Sequence, residues 1–136
     1  MNDEVNTRVI VEQKDKKYDL EERLIDFAVL ILEVGESLFN SRSGNPVAGQ
    51  IVRSGTSPAL NYGEALSAES KQDFIHKLKI VLKELRETNV ALKIIKRKPL
   101  TKNLEKVEKA LTECNELIAI FVKSVATSNL NKLKSK

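Results

Sequence analysis

Apolar residues recur along this chain at alternating three- and four-residue steps in four long stretches, the period of helices that bury one face. In the first stretch Leu20, Leu24, Phe27, Ile31, Val34 and Leu38 fall on one line at about 100° per residue. Asp19, with Glu22 three residues on, has the form of a capping box and predicts a start there, while Gly44 ends the stretch. Ile25, Ala28, Leu30 and Leu32 spread apolar surface well beyond the line, and Glu22, Asp26, Glu33 and Glu36 mark a narrow polar side that Val29 interrupts. A helix this apolar needs burial on more than one side, yet each helix of a four-helix monomer keeps an outward face. The pattern therefore predicts an oligomer.

The second stretch opens with Asn45 as N-cap and Pro46 at the first helical position, where a missing N–H is harmless. Val47, Ala48, Ile51 and Val52 face inward. Gly55 and Pro58 then break helix rules within four residues. The glycine costs about 1 kcal/mol against alanine, and the proline removes the bond to the Ser54 carbonyl. A helix kinked near Gly55 and Pro58 is expected, marking a special site or a close backbone approach; the plain alternative is a helix split in two.

Ser70 and Asp73 start the third stretch in capping-box fashion, and Pro99 ends it. Phe74, Leu78, Val81, Leu85, Leu92 and Ile95 form its inward line, with Ile75 and Leu82 beside them. The fourth begins near Thr101 or Asn103 and turns Leu104, Val107, Leu111, Cys114, Ile118, Phe121, Val122 and Val125 inward. The links are short, which favours antiparallel neighbours. The expected fold is all-α, an antiparallel up-down-up-down four-helix bundle over residues 19–127. A polar arm (1–18), holding the small apolar cluster Val9-Ile10-Val11, precedes it, and a frayed basic tail (128–136) follows.

Composition agrees with helix packing: 136 residues suffice for one core, aromatics are only 4%, and tryptophan is absent. The longest apolar run, Phe27 to Leu32, is far short of the roughly 20 residues a bilayer span needs. No signal-peptide pattern follows Met1, and a single cysteine suits a reducing compartment, so the expectation is a cytoplasmic protein with no membrane association.

Charge changes the picture more. Residues 1–70 hold seven Lys/Arg against twelve Asp/Glu, whereas residues 71–136 hold sixteen against seven. That asymmetry hints at a face for polyanions; the plain alternative is a solvated lysine-rich surface. On the third helix Lys79, Lys83, Arg86, Lys93 and Arg97 share an arc of about 80° and reach about 27 Å along the axis. Lys96, Lys98 and Lys102 carry the charge around the helix end, while Glu84 and Glu87 lie near enough to neutralise part of it. Fixed cations with few aromatics between them suit phosphate contact without base reading. Arg53 lies level with Glu84 across one neighbouring helix and with Glu33 across the other. It is expected to form a structural ion pair with one of them rather than a ligand contact.

Catalytic chemistry finds little support. His76 and Cys114 are the only residues of their kinds, and Cys114 sits mid-way along an inward face. No metal-ligand cluster is evident, and the five glycines form neither a phosphate-cradling loop nor a dinucleotide fingerprint. The sequence predicts a protein that is not an enzyme and needs no cofactor or metal.

Several segments together look familiar: Tyr18-Asp19-Leu20-Glu21-Glu22-Arg23-Leu24, Arg53-Ser54-Gly55-Thr56-Ser57-Pro58-Ala59, Asn61-Tyr62-Gly63-Glu64-Ala65, Asp73 to Ile80, and Lys83-Glu84-Leu85-Arg86-Glu87-Thr88. Over roughly residues 18–125 the chain resembles the four-helix bundle proteins encoded in bacterial 23S ribosomal RNA intervening sequences. The resemblance implies a homopentamer. It also implies kinship with the accessory variability determinants of diversity-generating retroelements, pentamers of positive charge that bind nucleic acid and a reverse transcriptase. Two functional expectations follow: an oligomeric nucleic-acid-binding bundle, or an oligomeric scaffold for a protein partner.

Overall fold

Local side-chain bonds mark where three of the four helices begin. The computed structural model describes residues 16–134, which form four helices: α1 (Lys16–Ser37), α2 (Gly44–Leu66), α3 (Lys71–Arg97) and α4 (Leu104–Lys134). At the start of α3 the Ser70 hydroxyl accepts the Asp73 N–H at 3.0 Å, the N-cap bond expected of that pair. Asn103 caps α4 in the same way, its side chain accepting the Lys106 N–H at 3.1 Å.

The other two starts differ from expectation. Asp19 lies inside α1, which already runs from Lys16, so it is not an N-cap; of the predicted polar arm, residues 1–15 lie outside the described residues. Asn45 is not the N-cap of α2 either. The Ser41 hydroxyl takes the Gly44 N–H at 2.9 Å and the Ser41 carbonyl takes the Asn45 N–H at 3.1 Å, so the chain turns helical earlier. Asn45 instead donates its amide to Asn40 at 2.9 Å. At the far end α4 stays helical to Lys134, into the tail (128–136) that was expected to fray.

α2 is not split: one helix passes through Gly55 and Pro58, both buried. The reason for Gly55 is the α1–α2 crossing. A Cβ there would lie 2.7 Å from the Ile31 Cβ, and one on Gly35 would lie 2.6 Å from Val52 Cγ2. Two glycines, one on each helix, let the backbones approach where a methyl group would collide.

α3 packs against both α2 and α4, α1 packs against α2, and α1 meets α4 least. At one end the Phe39 N–H donates to the Leu100 carbonyl at 2.8 Å and Thr101 donates to the Ser37 carbonyl at 3.1 Å. These bonds join the α1–α2 and α3–α4 links, as an up-down-up-down order requires.

The core holds Leu24, Phe27, Ile31 and Val34 of α1, Ile51 and Tyr62 of α2, Leu78, Leu85, Leu92 and Ile95 of α3, and Val107, Cys114, Leu117 and Phe121 of α4. Each large side chain taken from water contributes about 1.5–3 kcal/mol. Tyr62 and Phe121 meet edge to face at 5.6 Å. Two expected core residues of α4 are out of phase: Leu104 and Val122 are exposed, and Leu117 fills the interior.

Candidate nucleic-acid interface

The third helix is long because no glycine or proline interrupts it between Ser70 and Pro99. Its inner line is buried, so the residues a half-turn away are fixed outward at helical spacing. Lys79, Lys83, Arg86, Lys93, Lys96, Arg97 and Lys98 are all exposed. Six of them have no carboxylate within ion-pair distance among the described residues. The seventh, Lys96, pairs with Glu108 of α4 at 2.6 Å and is partly neutralised.

Arg53 explains why the line is so free of negative charge. Its guanidinium donates to Glu87 at 2.7 Å and to Glu84 at 3.2 Å, both on α3. The hydrogen bond to Glu87 and then the charge of Glu84 raise the pKa of Arg53 further above its ordinary value. Both acids expected to neutralise the line are therefore bound from the side by α2. Glu33 is not a partner of Arg53. It lies on the α4 side of α1 and faces Lys106 at 3.8 Å, while α2 meets α3 along the edge that carries Arg53.

Beneath this pair lies a buried polar chain: Thr88 donates to the Ser54 hydroxyl at 2.9 Å, and Ser54 packs fully buried on α2. The Pro58 ring leaves the Ser54 carbonyl without its helical donor, so the irregular stretch of α2 sits against the middle of α3.

Two features of this face escaped the sequence reading. Val90 and Ile94 lie in the same outward arc and are 57% and 49% exposed. With Leu82, Lys79, Lys83 and Arg86 they line an open groove of about 660 Å³ that Gln50 of α2 borders. The helical wheel that groups the cations also places these two aliphatics among them, so the signal was present. Away from this face, Arg23 of α1 makes a two-pronged bond to Glu113 of α4, 2.8 Å on each arm, and a third bond to Glu116 at 3.2 Å. The available signal was a lone cation among Glu21, Glu22 and Asp26, facing acids three residues apart on α4.

Cys114 is fully buried and donates to the Leu85 carbonyl at 3.2 Å. Burial pushes its thiol up to about 12, far from a reactive thiolate. Among the described residues no group of three or more His, Cys, Asp or Glu is placed to hold a metal, and no helix is long and apolar enough to cross a membrane.

Four adjacent-packed helices with a basic line on the third define the class: an all-α four-helix bundle whose distinctive chemistry is on its outside. The chain belongs to the 23S rRNA-intervening sequence protein family, whose pattern matches residues 16–123. It is similar to a solved protein of unknown function from the S23 ribosomal protein family of Bacteroides thetaiotaomicron. The two share 32% identity over 82% of this chain and 98% of that one, with a TM-score of 0.74. No curated protein matches.

Proposed function

We propose that this protein is a non-enzymatic oligomeric bundle, pentameric by its kinship, that binds the phosphates of RNA or DNA through the basic line of α3. It serves as an accessory factor to an rRNA intervening sequence or a related mobile element. One observation carries the reading: five exposed cations along about 27 Å of helix, from Lys79 to Arg97, and Lys98 just past its end have no partner carboxylate among the described residues, while Arg53 holds Glu84 and Glu87 aside. Such a surface meets a polyanion without reading bases.

The test is anisotropy binding to single-stranded RNA and duplex DNA across salt. Affinity is expected to fall steeply with salt and to be tolerant of sequence. Lys93→Glu, Arg97→Glu and Lys98→Glu together should abolish retention at low salt. Wild-type protein that retains neither RNA nor DNA at low salt overturns the proposal.

A second reading, an oligomeric scaffold for a protein partner such as a reverse transcriptase, draws support from the exposure of Val90 and Ile94, because aliphatics add nothing to phosphate contact. Under it, the same triple variant keeps its protein partner and loses nothing.

A further inference from the structure

One aromatic ring among the described side chains is left in water. Phe27, Tyr62 and Phe121 are buried and Phe74 is half-buried, whereas Phe39, just past the end of α1, is 41% exposed. Its backbone is nonetheless fixed. The Phe39 N–H is held by the Leu100 carbonyl at 2.8 Å, and the chain turns at once into α2 through the Ser41 bonds to Gly44 and Asn45.

The surroundings of this ring are basic. Lys98 and Lys102 each stand two residues from Leu100, within about 7 Å along the chain. Arg97 precedes Lys98, and Arg42 follows Phe39 by three residues. All four cations are exposed, and none has a carboxylate within ion-pair distance among the described residues. Of the acids at this end, Glu33 and Glu108 are taken by Lys106 and Lys96 at 3.8 and 2.6 Å, which leaves Glu36 and Glu105. The basic line of α3 thus runs on to an exposed aromatic.

Cations and a flat ring together select a narrower ligand than cations alone. In a duplex the bases cover one another, and the phosphates are what such a surface meets. In a single strand the base faces are free to stack on an aromatic, and that contact tolerates any sequence because every base has a π face.

We infer that Phe39 is a stacking platform for an unpaired base, and that the protein takes single-stranded nucleic acid in preference to duplex. The phosphates follow Lys93, Arg97 and Lys98 to the end of the bundle. There a base lies on the Phe39 ring, with Lys102 and Arg42 at hand for its phosphate. The inference rests on the phosphate reading above and names its substrate class.

The chain has no tryptophan, so Phe39→Trp places a single fluorescent reporter at the site. The probes are a single-stranded DNA oligonucleotide, an abasic tract of the same length, and a covalently closed circular duplex used as competitor. The oligonucleotide should quench the Phe39→Trp fluorescence, and the abasic tract should not. Phe39→Ala should weaken the oligonucleotide about tenfold and leave the abasic tract and the duplex unchanged. Phe39→Tyr should bind as wild type does. Phe39→Leu, which keeps an apolar side chain without the ring, should bind as weakly as Phe39→Ala and serves in its place should circular dichroism show the alanine variant misfolded.

An unquenched tryptophan with the oligonucleotide bound, a Phe39→Leu variant that binds it as wild type does, a loss shared equally by the abasic tract, or a wild type that prefers the closed duplex overturns the inference. Equal retention of the oligonucleotide by wild type and Phe39→Ala removes the stacking alone and leaves the phosphate reading in place. A wild type that retains no probe at low salt removes the phosphate reading, and this inference with it.

Discussion

Arg53 of α2 holds Glu87 of α3 at 2.7 Å, so an arginine outside the basic line of α3 controls how positive that line is. The same guanidinium takes Glu84, whose side chain is 11% exposed. With both acids occupied, Lys79, Lys83 and Arg86 have no carboxylate within ion-pair distance among the described residues.

Arg53→Ala should therefore weaken nucleic-acid retention although Arg53 is not in the line. The freed Glu87 would turn on Lys83 and Arg86, and affinity at low salt should fall severalfold. Adding Glu87→Gln to that variant should recover most of the loss. A merely structural pair would lower the melting temperature of Arg53→Ala and leave the binding of the folded protein unchanged, which anisotropy below the transition would reveal.

Gly55→Ala sets propensity against packing. Propensity alone would stabilise a helix interior by about 1 kcal/mol. The added methyl meets Ile31 at the α1–α2 crossing, with its Cβ 2.7 Å away, and overpacking of that kind costs about 1–3 kcal/mol. Net destabilisation is expected by urea denaturation. Gly63→Ala, with nothing within 4 Å of the added carbon, should instead stabilise by about 0.5–1 kcal/mol. Equal effects at the two sites would refute the crossing as the reason for Gly55.

Arg23→Lys should behave like Arg23→Ala. The fork to Glu113 needs two parallel N–H groups, which an ammonium cannot supply. The pair is one-third exposed on the arginine side, so the loss should be about 1 kcal/mol in a denaturation midpoint, similar for both variants. Full retention of stability in the lysine variant would mean that charge alone, not the fork, joins α1 to α4.

The four helices were legible because their signals are local. Ser70 with Asp73, Pro99, and the inward line from Leu78 to Ile95 all act within one or two turns. The start of α2 was misplaced because Ser41 turns the chain through a hydroxyl bond that no periodicity records. In α4 a phase error of a few residues put Val122 inside in place of Leu117, since a long helix accumulates small angular errors. The five cations in line on α3, from Lys79 to Arg97, were readable from spacing. That Arg53 would strip Glu84 and Glu87 from them depended on the lateral packing of α2, and Glu113 is 90 residues from Arg23 with only its charge to announce it.

Cys114 links the core to pH. Its thiol is fully buried, and burial lifts its pKa to about 12, well above the ordinary value near 8.5 expected in the unfolded chain. Below about pH 8.5 both states keep the proton and the thiol gives no pH dependence. Above it the unfolded chain releases a proton that the folded one retains, so stability falls as pH rises, by up to about 1.4 kcal/mol per unit until the folded thiol ionises. Cys114→Ala lacks this contribution. Its stability deficit against wild type should therefore shrink by about 1.4 kcal/mol between about pH 8 and about pH 9.5 in urea titrations, whatever other groups ionise in both proteins. A deficit that stays constant over that range would mean that the unfolded and folded thiols titrate alike, and that the Cys114 side chain is reached by water in the native bundle.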